Sequence, residues 1–185
     1  MFCNQVEFIK CCSQFELYRI STTLIVPVLS DAEELMSSEP LFMNVVNGLA
    51  EMSPVAKTLG WKFIKYNSEE KEVHVEFEAS DSLANPIGCI QGGVLSAMLD
   101  DSMGPAIYIT MPQGKVAITI ESKTNFVNAA YPGKIYGRGR IAHAKNSIIF
   151  TSGELFNEAG DIIATATATF KVFPFEVPDS TWKIV

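Results

Sequence analysis

The chain has 185 residues, 48% of them hydrophobic, and a formal net charge of −7, which suits one domain with a buried core. The acidic balance excludes a globally basic nucleic-acid footprint, and no apolar run approaches the ~20 residues of a membrane helix. Cys3, Cys11, Cys12 and Cys89 form no CxxC pair, so neither a disulfide framework nor a zinc site is indicated, and a reducing compartment is expected.

Residues 1–35 are rich in Cys, Phe and Ile with no clean period. They read as an N-terminal extension, either ordered or lying upstream of a domain that begins at Met36 or Met43. Glu7 and Glu16 and the lack of a basic start make a poor signal peptide, so a cytoplasmic location is expected. The domain proper is assigned to 36–185.

From Pro40 to Leu59 the pattern is helical, with Leu41, Val45, Leu49 and Met52 at steps of four, four and three. "WKFIKYN" and "EVHVEFEAS" predict two strands around the polar turn "NSEEK". In the second strand Val73, Val75 and Phe77 alternate with His74, Glu76 and Glu78. A glycine-led helix is predicted over about Gly92–Thr110. "KVAITIESKTNFV", "IYGRGRIAHA", "SIIFTSGELFN" and "IIATATATFKVF" then predict four strands. The turn "AAYPGK" joins the first two of these, and all four read as a hairpin-linked meander. Ala164, Ala166 and Ala168 make one sheet face small enough for a helix to pack close. The order predicts an α+β fold, an antiparallel sheet wrapped round one long central helix.

That helix carries Asp100 and Asp101 in an apolar setting, where an unpaired carboxylate is costly. Gly93, Ala97, Asp100, Gly104 and Ile107 form one stripe, small enough to expect a tight contact. Asp101 lies on the next stripe with Val94, Met98, Pro105 and Tyr108. Gly92 and Gly93 open the helix, where the first amides lack helical acceptors and the dipole favours negative charge. Such a terminus can serve as an oxyanion hole.

Asn85, then Gln91-Gly92-Gly93, then Asp100 resembles the signature of the hotdog-fold acyl-CoA thioesterases, in the phenylacetate-degradation-type group. There an Asn precedes His-Gly-Gly, and an acid follows nine residues after the His. The likeness covers roughly residues 41–173. It implies hydrolysis of an acyl-CoA thioester to free acid and CoA, with the Gly92 amide polarising the carbonyl. Asp100 would act from the facing subunit as nucleophile or general base, with Thr119 close to the reacting centre. Asn85 and Gly93 would support the substrate. The segment His143–Ile148, with Lys145, Asn146 and Ser147, would contact the CoA phosphates and nucleotide, and Arg138 and Arg140 would add positive charge. A homodimer pairing into a tetramer is implied, with no cofactor besides the CoA of the substrate. Gln91 departs from the family His and cannot titrate near neutral pH.

Other readings stay open. The acids could be a solvated helix face, Gly92-Gly93 a tight turn, Thr119 a β-former, and the basic residues plain surface. A non-catalytic acyl-CoA-binding module and a hotdog dehydratase or hydratase are the rival functions. His74 and His143 are far apart and make no metal cluster, Ser96 is in no nucleophile elbow, and no phosphate-binding glycine motif occurs.

Overall fold

The structure is a computed structural model that describes residues 41–48 and 50–175. The expected extension, residues 1–35, and with it Cys3, Cys11, Cys12 and Met36, lies outside the described residues, as does Leu49.

Two short helices replace the single one expected over 40–59: α1, Leu41–Val46, and α2, Pro54–Leu59. Pro54 has no N–H to continue a helix and would clash with the preceding turn, so the chain restarts there. Ser53 caps the new helix by accepting from the Ala56 amide at 3.2 Å, and Gly60 ends it in the left-handed region.

Six antiparallel strands follow: β1 Trp61–Asn67, β2 Glu72–Ala79, β3 Lys115–Phe126, β4 Gly133–Lys145, β5 Ile148–Phe156 and β6 Ile162–Pro174, in the order β1-β2-β4-β5-β6-β3. The long helix α3, Gly92–Tyr108, lies between β2 and β3 in the chain. Only β4, β5 and β6 form the meander. The expected β3–β4 hairpin is absent, because β3 pairs with β6 at the sheet edge. The Val127 and Asn128 amides both bond the Ile163 carbonyl, at 2.8 and 3.1 Å, and hold the end of β3 beside β6. Pro132-Gly133 turns the chain into β4 after it has crossed the sheet. A turn signal states that the chain reverses, not which strand it then joins.

The core lies between α3 and one sheet face. Leu95, Met98, Leu99, Met103 and Ala106 meet Val73, Val75, Phe77, Ile135 and Leu155, all buried. The alanine face of β6 is buried as expected, Ala164, Ala166 and Ala168 being at most 4% exposed. The closest approach is made by glycines of the sheet. A Cβ on Gly139 would fall on the Ser102 carbonyl, and one on Gly137 on Ser102 Oγ. The glycines of the small helix stripe are therefore not what meets the sheet. Nothing among the described residues lies within 4 Å of a Cβ placed on Gly93 or Gly104. Among the described residues no helix is long and apolar enough to cross a membrane.

Candidate active site

Asp100 sits on the half-buried side of α3, beside the edge strand. Thr119 Oγ1 donates to Asp100 Oδ1 at 3.0 Å. Burial raises the Asp100 pKa above the usual carboxylate value, making it a weaker acid, and the Thr119 hydrogen bond opposes that rise. About two helix turns further on, Tyr108 fixes the same strand: its hydroxyl donates to the Ala117 carbonyl at 2.8 Å and accepts from the Ala117 amide at 3.2 Å. Helix and strand are thus pinned at two points, Asp100–Thr119 and Tyr108–Ala117.

Behind the pair is a largely apolar cavity of about 370 Å³, with Phe42, Met52, Trp61, Pro105 and Phe170 among its lining residues and both carboxylates at its wall. Asp101 is the more perturbed acid. Burial, with the Asp100 charge added, pushes its pKa up to about 6, and its Oδ2 is buried with no hydrogen-bond partner among the described residues. Its backbone is better served. Pro105 cannot donate to the carbonyl four residues back, which is that of Asp101, and Trp61 Nε1 donates to this carbonyl instead, at 3.0 Å. The proline noted in the sequence therefore frees an acceptor that anchors β1 to α3.

The other half of the motif lies at the opposite end of the helix. Asn85 Oδ1 accepts from the amides of Ile87 and Cys89, at 3.0 and 3.2 Å, and so shapes the loop that delivers Gln91 and Gly92. Gln91 is the N-cap residue, exposed and with no side-chain cap bond, while its own amide donates to the Leu83 carbonyl at 3.0 Å. The Gly92 and Gly93 amides have no acceptor within the helix. The exposed ring of Phe126 covers Gly92, 3.2 Å from the position a Cβ would take. Gly92 precedes Asp100 by eight residues of helix, about 12 Å at 1.5 Å per residue. Within one chain these two groups cannot reach one carbonyl.

A third set lies on the sheet face away from α3. A bulge between Ile141 and His143 changes the alternation, so Arg138, Arg140, His143 and Lys145, opposite Glu154, Ser152, Phe150 and Ile148, share that face. Arg138 is held at 3.7 Å from both Glu72 and Glu154 and lies 4.9 Å over the Phe156 ring. Arg140 donates to Ser152 Oγ at 3.0 Å, and His143 stacks on Phe150. Asn146 and Ser147 form the two-residue turn to β5, with Asn146 at φ 56°. In the single chain this basic row is apart from Asp100. Among the described residues no cluster of three or more His, Cys, Asp or Glu could hold a metal.

The sequence reading did not single out Phe42, Trp61, Tyr108's hydroxyl contacts or Phe126 as parts of the site. Trp61 and Phe42 come from segments remote in the chain, and nothing local marks them. Pro105 within a helix was a usable signal, since it leaves one known carbonyl in need of a donor.

The description of the family model that matches residues 88–164 is "thioesterase superfamily". A phenylacetic acid degradation-related protein of Ralstonia eutropha JMP134, assigned as a thioesterase, is 32% identical over 70% of this chain and 98% of its own, with a TM-score of 0.68. A thioesterase family protein from Silicibacter pomeroyi is 23% identical over 72% of this chain and 98% of its own, with a TM-score of 0.64. A protein of Streptococcus mutans UA159, solved with acetyl-CoA bound, is 22% identical over 63% of this chain and 91% of its own, with a TM-score of 0.56. No curated protein matches the chain. With its signature on α3 and its helix-wrapped antiparallel sheet, the chain belongs to the thioesterase superfamily, as a hotdog-fold protein of the phenylacetate-degradation-type group.

Proposed function

We propose that the protein hydrolyses an acyl-CoA thioester to the free acid and CoA, at a site assembled from two copies of the chain. The observation that carries this reading is the separation of Asp100 from Gly92 along one helix. Asp100 of one copy then faces the Gly92 amide of the other across the thioester carbonyl. The partial positive end of α3 and that amide stabilise the oxyanion. Asp100 takes a proton from water as the water oxygen bonds the carbonyl carbon, or attacks that carbon itself and is later released by water. In either route the C–S bond breaks and the CoA thiolate leaves, to be protonated by solvent. Acetyl-CoA in the Streptococcus mutans relative supports a CoA thioester as the substrate class.

The edge strand β3 supports association. Ile118, Ile120 and Phe126 on and at the end of it are more than half exposed, an edge that proteins ordinarily cover or blunt. The basic row of β4 is the candidate for the CoA phosphates, with Arg140 and Lys145 better placed than Arg138, whose charge two glutamates already share.

The test is subunit complementation. Asp100→Asn should lose ~10²–10⁴-fold in rate, and Gly92→Pro should be similarly impaired. Proline suits the first helical position and removes the amide hydrogen, while its ring requires the exposed Phe126 ring to shift by a few tenths of an ångström. Mixed and re-associated, the two inactive proteins should recover about a quarter of wild-type activity, since half the dimers then hold one intact site. No recovery with each variant dimeric would break the two-chain reading.

Gln91 favours one rival, a binding module without turnover, because the family imidazole is missing. Single-turnover assays of wild type and Gln91→His separate the two. An enzyme tuned around Gln should change less than about tenfold, ~1.4 kcal/mol of barrier. Inactive wild type with active Gln91→His would establish the binder. The dehydratase reading wants a catalytic His, whereas His74 and His143 both lie on the sheet face away from α3.

A further inference from the structure

The cavity behind Asp100 has polar lining groups whose engagements can be checked one by one. Thr119 Oγ1 is spent on Asp100. The Tyr108 hydroxyl both donates to and accepts from Ala117. Trp61 Nε1 is used by the Asp101 carbonyl, and Ser53 Oγ caps α2. Two carboxyl groups remain: Asp100 at the reacting centre, engaged through Oδ1 alone, and Asp101, whose Oδ2 is buried with no hydrogen-bond partner among the described residues. Among the described residues no Lys, Arg or His lines the cavity.

We propose that Asp101 selects the acyl group: the cavity takes a compact acyl chain ending in an uncharged hydrogen-bond donor such as a hydroxyl, and rejects chains ending in a carboxylate. The proposal rests on the thioesterase reading of the same site. A volume of about 370 Å³ is at the small end of the roughly 300–1,000 Å³ range of small-molecule sites. An ionised carboxylate only accepts hydrogen bonds, and one left buried without a donor costs free energy that an incoming hydroxyl recovers. The sp³–sp² torsion of an Asp side chain is broad and nearly two-fold, so a small carboxyl rotation presents an oxygen to the ligand. A carboxylate on the acyl chain would add a third negative charge beside Asp100 and Asp101, with no cation among the described lining residues to meet it. An acid near pKa 6 is mostly ionised at neutral pH, as the selection requires.

Calorimetric binding of three non-hydrolysable thioethers tests this: S-hexyl-CoA, S-(6-hydroxyhexyl)-CoA and S-(5-carboxypentyl)-CoA. In wild type the hydroxyl analogue should bind at least as tightly as the hexyl one, and the carboxyl analogue at least tenfold more weakly. In Asp101→Ala the hydroxyl-to-hexyl affinity ratio should fall about tenfold, and the penalty on the carboxyl analogue should largely vanish. Asp101→Asn keeps an acceptor without the charge, so it should lose the carboxyl penalty and retain part of the hydroxyl preference. The Asn variant carries the test alone if the Ala variant does not fold. Affinity ratios unchanged by these substitutions, or no binding of any analogue, overturn the proposal. Parallel turnover of the matching thioesters keeps the two readings apart. Expected ratios without turnover would remove the enzyme and leave the selector, and turnover with unmoved ratios would do the reverse.

Discussion

Thr119 Oγ1 donates to Asp100 Oδ1 across 3.0 Å, joining the middle of α3 to the edge strand β3. The bond opposes the upward pull of burial on the Asp100 carboxyl. Thr119→Val keeps the shape and removes the donor, so Asp100 should become a weaker acid. If ionised Asp100 is needed for turnover, the acid limb of the kcat/KM profile should move to higher pH. A charge-assisted hydrogen bond of this kind is worth about 1.5 kcal/mol. Thr119→Ser should restore the limb, and a Val variant with an unmoved profile would exclude the coupling.

Asp101 should make the fold less stable as pH rises through the window from about 4 to about 6. Its pKa is raised from 3.8 to about 6 in the folded chain, so there the folded state binds more protons than the unfolded one. Stability must then decline with pH, by up to about 3 kcal/mol in total. Asp101→Asn cannot titrate. Urea midpoints for variant and wild type should be close near pH 3.5 and diverge in favour of the variant up to pH 7.5. A constant gap would show that Asp101 has no shifted pKa.

Trp61 and Pro105 should be coupled although they do not hydrogen-bond each other. Trp61→Phe strands the Asp101 carbonyl, at a cost of ~1–3 kcal/mol. Restoring the helix donor with Pro105→Ala should make the same Trp61→Phe change cheaper. A double-mutant cycle of unfolding free energies reads the difference directly, and additivity would mean the Trp61 indole contributes by packing alone.

Gly139→Ala should lower the thermal midpoint through steric conflict with the Ser102 carbonyl, an overpacking cost of ~1–3 kcal/mol or more. Gly93→Ala meets nothing within 4 Å and gains helix propensity of up to ~1 kcal/mol. Opposite signs are expected in parallel melts, whatever either change does to activity.

The sequence by itself determined the elements and the helix that carries the acids. Alternation at Val73, Val75 and Phe77, and glycines opening an apolar run, are local facts, and the strands β1 to β6 and α3 lie close to where they were expected. Local pattern also failed where a local signal was overlooked, since Ser53-Pro54 already forbade one helix over 40–59. Which strand lies beside which was decided in three dimensions. Pro132-Gly133 looks the same whether the chain forms a hairpin or crosses the sheet, and only packing put β3 beside β6. The site divides along the same line. Asp100 and Gly92 were legible because helical spacing is fixed by sequence. Trp61 on the Asp101 carbonyl, Tyr108 on Ala117 and the Asp101 oxygen left without a donor were not, because a hydrogen-bond balance exists only once remote segments have been brought into contact.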